Sequence, residues 1–234
     1  MHRYKLLIFD LDDTLFNYKE TEKYAVAEAC KSVGLQFTES IYREYKKAND
    51  EAKKSISKYI DCLEHFREVR VCFFLEANGI SLSYMQVFIS TYMEASKNGI
   101  LISGVEDALC LLSPVRKVVG TNGTTIPRKD KLMNSSIAKY FEKFYSSELL
   151  GVSKPAREFF EKIAADNNVR VGECLYIGDD WRADIEGATN AGMDACFLDS
   201  DNDQQIVFIN GLKVFKTKTI LKLVEVLNEK NNRF

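Results

Sequence analysis

Short apolar runs alternate with amphipathic, helix-length segments at the beginning and over the second half of the chain, and the stretch between is helical in pattern throughout. Leu6–Phe9 is a four-residue apolar run that closes on Asp10, as in a parallel strand buried on both faces. From about Tyr18 to Lys97 polar and apolar positions recur at three-four spacing, proline is absent, and Gly34 and Gly79 punctuate the pattern, which predicts an insert of about four helices. Tyr59, Leu63, Phe66, Arg70, Phe73 and Phe74 form one stripe there, and Tyr42, Tyr45, Tyr84, Phe88 and Tyr92 fall at similar spacings. Both are expected to fill the core of the insert.

Strand and helix signals resume after Gly104. Val115–Gly120 reads as a strand, Lys129–Tyr140 as a helix, Phe144–Ser146 as a short strand, and Pro155–Asn167 as a helix with proline at its start. Cys174–Ile177 and Ala195–Leu198 read as strands flanking a helix over Ala183–Ala191; one last strand is expected within Gln205–Lys216 and a helix over Thr219–Asn228. Repeated βα units predict an α/β fold: a Rossmann-like parallel sheet with helices on both faces, plus an inserted all-helical domain. The expected boundaries are 1–17 with 98–234 for the α/β core and 18–97 for the insert. No internal repeat or low-complexity segment interrupts this plan.

Composition removes several function classes. The 234 residues are 46% hydrophobic and 28% charged, enough for a core without staples. Lys and Arg number 32 against 34 Asp and Glu, a net charge of -2 with no long block of either sign, so neither a nucleic-acid polymer nor a membrane surface is an expected partner. Cys30, Cys62, Cys72, Cys110, Cys174 and Cys196 form no Cys-x-x-Cys pair and mostly have apolar neighbours, as expected of reduced core residues in a cytoplasmic protein. The apolar run before Asp10 is too short for a signal peptide, and no run approaches a membrane span. His2 and His65 stand in no catalytic pattern with Ser or Cys.

The candidate chemistry lies at strand ends, where open α/β sheets bind ligands. Asp10 and Asp12 leave the end of a buried strand with no basic residue adjacent in the sequence, and buried like charges need a cation or a shared proton. Asp179, Asp180 and Asp184 follow another strand end, and an oxygen-only, incomplete protein shell suits Mg²⁺. Thr121-Asn122-Gly123 offers a hydroxyl beside main-chain N–H groups freed by glycine, and Lys154 offers a point charge; both suit phosphate oxygens.

In this order the four pieces resemble the motifs of the haloacid dehalogenase-like hydrolases: Asp10-Leu11-Asp12-Asp13-Thr14, Thr121-Asn122, Lys154, and Gly178-Asp179 to Asp184. The resemblance implies that Asp10 attacks phosphorus to form an aspartyl-phosphate and that Asp12 acts as acid and then base. It implies that Thr121 with Asn122 and Gly123 binds phosphoryl oxygens, that Lys154 neutralises charge, and that Mg²⁺ sits on Asp10, the Asp12 carbonyl and Asp179, with Asp184 supporting the ion through water or holding Lys154. Asp13 is expected to cap backbone, and Asp180 is balanced between metal support and a local cap. The insert occupies the position of the family's helical cap, with hinges near Phe16–Lys19 and Lys97–Gly104.

Thr14-Leu15-Phe16, Thr121-Asn122-Gly123, Gly151-Val152-Ser153-Lys154-Pro155 and Asn190-Ala191-Gly192 are most similar to the bacterial pyrimidine 5'-nucleotidase and phosphoglycolate phosphatase-like branch. Three positions depart from it: Ser103 stands where proline is frequent, Arg128 where glutamine is common, and Trp181 where smaller residues are usual. Trp181 could stack on a ring of the substrate or pack its loop against the cap. The expected activity is Mg²⁺-dependent hydrolysis of a small phosphorylated metabolite by a monomer or small homo-oligomer. Phosphoglycolate phosphatase, sugar phosphomutase and a receiver-like phospho-switch remain as alternatives. A dehalogenase needs neither an acid for its leaving group nor Mg²⁺, so Asp12 and the acidic cluster speak against it.

Overall fold

The computed structural model describes residues 4–55, 63–112, 114–199 and 205–231. The chain divides into two compact units, residues 1–18 with 99–234 and residues 19–98.

The first unit is built on β1 (Leu6–Phe9), β2 (Arg116–Thr121), β3 (Lys143–Ser146), β4 (Cys174–Gly178), β5 (Asp194–Leu198), β6 (Gln205–Ile209) and β7 (Leu212–Thr217). They form one sheet in the order β3-β2-β1-β4-β5-β7-β6, parallel except for the β6–β7 pair. Side-chain alternation sends the core to both faces. Leu7 and Phe9 pack with α5 (Val105–Leu111) and α10 (Ile220–Asn231), whereas Leu6 and Ile8 pack with α8 (Arg157–Asp166) and α9 (Gly187–Ala191). A strand buried on both faces has no room for polar positions, which is why β1 reads as an unbroken apolar run.

The sheet order places β1 between β2 and β4, so successive crossovers leave its two sides in opposite directions. Phe9 is in register with Val119 and with Ile177. The residues that follow these strands therefore emerge together at their carboxyl ends, at a switch in strand order.

The second unit consists, among the described residues, of α1 (Tyr18–Ser32), α2 (Glu39–Ser55), α3 (Leu63–Ala77) and α4 (Met85–Ala95), the first beginning at the last residue of the other unit. Tyr42, Tyr45, Phe74 and Phe88 form its core, with Phe73 and Tyr92 packed against them. Tyr84 is exposed, contrary to expectation, because it lies in a separate turn over Leu82–Tyr84 before α4. Tyr59 and the side chain of Leu63 lie outside the described residues.

Several local expectations are corrected. The helix expected over Lys129–Tyr140 is α6 (Thr125–Met133), followed by a separate turn at Ala138–Tyr140. Pro127 sits in the first turn of α6, where the missing N–H has no intrahelical acceptor to lose. Pro155 is not helical; it follows a cis peptide bond, and α8 starts at Arg157. The single strand expected over Gln205–Lys216 is a hairpin, β6 and β7, turned at Asn210-Gly211 with both residues at positive φ. α5 and α7 (Ser147–Leu150) had no named helix signal. Cys30, Cys174 and Cys196 are buried as expected, but Cys110 is exposed; Cys62 and His2 lie outside the described residues.

Candidate active site

The carboxyl ends of β1, β2 and β4 deliver Asp10, Thr121 and Asp179 to one place, and the loop before α8 delivers Lys154. Lys154 is 6% exposed. Its ammonium donates to Asp10 Oδ1 at 2.6 Å, to Asp184 Oδ1 at 2.6 Å and to the Tyr176 hydroxyl at 2.9 Å. A buried ammonium needs each of its three donors satisfied, and these acceptors achieve it. Burial alone would depress Lys154, but the charges of Asp10 and Asp184 and the hydrogen bond to Asp10 outweigh it and hold the ammonium well above its ordinary value.

The lysine is fixed through its backbone as well. Asn122 Oδ1 accepts the Lys154 N–H at 2.8 Å, and Asn122 Nδ2 donates to the Lys154 carbonyl at 3.1 Å. The Asn122 side chain, expected to meet phosphate oxygens, is therefore engaged in positioning Lys154. The Gly123 N–H is not free either, because it donates to Ser147 Oγ at 2.8 Å. Thr121 is buried at the end of β2, and no protein group among the described residues hydrogen-bonds its hydroxyl.

Carboxylate oxygens of Asp10, Asp179 and Asp184 lie within 4.8 Å of one another. Three carboxylates against the one ammonium of Lys154 leave two negative charges uncompensated. Burial pushes Asp10 from 3.8 to about 6, with Lys154 opposing the rise and Asp184 and Asp12 adding to it. Burial likewise pushes Asp179 to about 7, reinforced by Asp10, Asp184 and Asp13. Thr14 Oγ1 donates to Asp179 Oδ1 at 3.3 Å. The excess charge and the hard oxygen donors fit a divalent cation. Gly178 permits this crowding, since a Cβ there would overlap the Asp184 carboxyl group.

The remaining acidic residues separate by function. Asp13, at φ 57°, accepts the Tyr18 N–H at 3.0 Å and so caps the start of α1, as expected. Asp180 Oδ1 accepts the Ala183 N–H at 2.8 Å, which makes it the cap of the helix after β4. Its own N–H binds Asp184 Oδ2 at 3.0 Å and steadies that carboxylate. The Trp181 ring meets Phe197 edge-on at 5.2 Å, Lys216 stands over it, and its N–H donates to Glu186.

Asp12 has cationic neighbours that are not adjacent in sequence. Lys131 Nζ is 2.5 Å from Asp12 Oδ1, and Arg128 Nε is 3.7 Å from Oδ2. Tyr176, whose hydroxyl holds Lys154 and the Gly120 carbonyl, belongs to none of the four sequence motifs. Its only signal is one hydroxyl in an otherwise aliphatic strand.

The family model described as haloacid dehalogenase-like hydrolase matches residues 4–192. The pyrimidine 5'-nucleotidase PynA of Streptococcus pneumoniae is 32% identical over 82% of each chain. The HAD-hydrolase YfnB of Bacillus subtilis is 25% identical over 99% of this chain and 98% of its own. The crystal structure of YfnB bound to magnesium superposes with a TM-score of 0.75 at 23% identity, covering 97% of this chain and 99% of that one. A 2-haloacid dehalogenase of Pseudomonas syringae has the same fold, with a TM-score of 0.61 at 22% identity over 97% and 99% of the two chains. No helix among the described residues is long and apolar enough to cross a membrane.

Proposed function

The chain belongs to the haloacid dehalogenase-like hydrolases, and from that premise we propose that it is a Mg²⁺-dependent phosphatase of small phosphomonoesters acting through an aspartyl-phosphate on Asp10. The observation that carries this reading is the meeting of Asp10, Asp179 and Asp184, the first and last of them bound to Lys154, with Asp12 two residues beyond the nucleophile. Displacing halide from carbon requires neither a proton for the leaving group nor surplus acidic ligands, so this arrangement favours phosphoryl transfer over dehalogenation.

Asp10, the Asp12 main-chain carbonyl and Asp179 would hold the ion, with Asp184 securing Lys154 beside them. When bound, Mg²⁺ supplies positive charge for the phosphoryl oxygens. A carboxylate oxygen of Asp10 forms a bond to phosphorus while the bond from phosphorus to the leaving oxygen breaks, and Asp12 gives that oxygen its proton. Asp12 then takes a proton from water, the water oxygen bonds to phosphorus, and the Asp10–phosphorus bond breaks. Lys154 and Thr121 stabilise charge on the transferring group. Residues 19–98 form a compact helical unit inserted between the first two motifs, the position of the family's cap.

PynA makes nucleoside 5'-monophosphates the first substrate class to examine. The test is phosphate release from nucleotides, sugar phosphates and phosphoglycolate, with Mg²⁺ and with EDTA. Release that needs Mg²⁺ is expected, and full activity after exhaustive metal removal would overturn the reading.

A further inference from the structure

We infer that Lys131 is a positioning residue for Asp12: by binding one carboxylate oxygen it fixes the other for proton transfer, and this rests on the phosphatase reading above. Lys131 lies in α6, 119 residues from Asp12 in sequence, and only 7% of it is exposed. Its ammonium donates to Asp12 Oδ1 at 2.5 Å. No other protein acceptor among the described residues binds this ammonium. A lysine buried to this degree has lost most of its hydration, so the bond to Asp12 is its principal compensation.

The two oxygens of Asp12 are unequal. Oδ1 is engaged by Lys131, whereas Oδ2 is 3.7 Å from Arg128 Nε, beyond hydrogen-bonding distance. A group that gives a proton to one oxygen and takes a proton from another in the next step needs a single free atom in a defined direction. Lys131 engages Oδ1 and leaves Oδ2 for that task. Arg128 adds positive charge on the same side without fixing Oδ2.

Lys131 is itself held. Its Nζ lies 5.7 Å from the centroid of the Phe16 ring, and Gly99 stands against both side chains. A Cβ built on Gly99 would come within 2.7 Å of Lys131 Cγ and would overlap the Phe16 ring. Gly99 is also the residue at which the chain re-enters the first unit. The absent side chain at this boundary is thus a condition for the Lys131 stem to lie where it does.

The test is a double-substitution cycle in the full chain with Mg²⁺, using an alkyl phosphate and an aryl phosphate. Lys131→Met should lower kcat on the alkyl phosphate by about ten- to a hundredfold, part of the roughly 10²- to 10⁴-fold that general acid–base catalysis contributes, with KM nearly unchanged. Lys131→Arg should recover much of that loss. Lys131→Met added to Asp12→Asn should cost nothing more, because the group it positions is already gone. Gly99→Ala should reproduce part of the Lys131→Met loss, which keeps the inference open to refutation if Lys131→Met does not fold. Multiplicative losses in the double variant, a change confined to KM, or unaltered turnover in Lys131→Met and Gly99→Ala while Asp10→Asn is inactive would each overturn the role of Lys131. Turnover that survives in Asp10→Asn would instead remove the phosphatase reading, and the inference with it.

Discussion

Asn122 holds the main chain of Lys154 at both its N–H and its carbonyl, although the two residues are 32 positions apart. The loop after β2 thereby sets where the central ammonium stands. Asn122→Ala removes two hydrogen bonds and leaves two main-chain groups to find water. At roughly 0.5–1.5 kcal/mol for each bond, a loss of about 1–3 kcal/mol is expected in urea unfolding. Turnover should fall as well, because Lys154 loses its fixed position; an active, equally stable variant would show that other contacts hold the loop.

Lys154→Met tests the charge balance rather than the position. It leaves Asp10 and Asp184 facing each other without their shared cation. Removing one partner of a buried pair costs about 3–5 kcal/mol, so the metal-free variant should unfold well before the parent near neutral pH. The difference should shrink in acid, where the carboxyl groups are protonated. Activity should be lost at every pH. Normal turnover would mean that Arg128 or Lys131 supplies the charge, and would displace Lys154 from the site.

Asp10→Asn separates chemistry from folding. The amide has nearly the shape of the carboxylate but is a poor nucleophile, so turnover should drop by on the order of 10³-fold or more. Stability should not drop with it: burial already disfavours the charged form of Asp10, raising it to about 6, and the substitution removes one of three crowded carboxylates. Thermal melting of the metal-free variant near neutral pH checks this, and retained turnover would exclude Asp10 as the nucleophile.

How much of this was legible in the sequence depends on whether a residue's neighbours are local. Asp10, Thr121 and Asp179 could be found because each ends an apolar run, and a parallel sheet gathers such ends at one edge. Lys154 was marked by its place beside Pro155. The partners were not legible, since Asn122, Tyr176 and Lys131 meet their targets across 22 to 119 residues. Lys131 in particular sits in Lys129-Asp130-Lys131, which reads as a solvated helix face. The hairpin differs, because its turn is local: Asn210-Gly211 carries a clear turn signal, and the apolar residues on either side pair as β6 and β7 rather than running on as one strand.

The proton balance of the acidic group gives a prediction about the metal that does not depend on turnover. Asp10 is raised to about 6 and Asp179 to about 7, both from 3.8. In the metal-free protein the folded state therefore binds more protons than the unfolded state between those limits, and stability must fall as pH rises. The contribution is fully present below about 3.8 and is lost as pH passes through about 6 and then about 7. Mg²⁺ binds the deprotonated carboxylates, so protons compete with it at low pH and the ion stabilises only the folded state. Melting in EDTA and in Mg²⁺ should thus differ little at about pH 5 and clearly at about pH 8, with the gap opening across the window set by the two aspartates. Asp179→Asn should remove the upper part of the window and weaken the response to Mg²⁺. A Mg²⁺ shift that is the same at every pH would place the ion away from Asp10 and Asp179. Metal-free stability that rises between about pH 5 and about pH 7 would contradict the sign of both shifts.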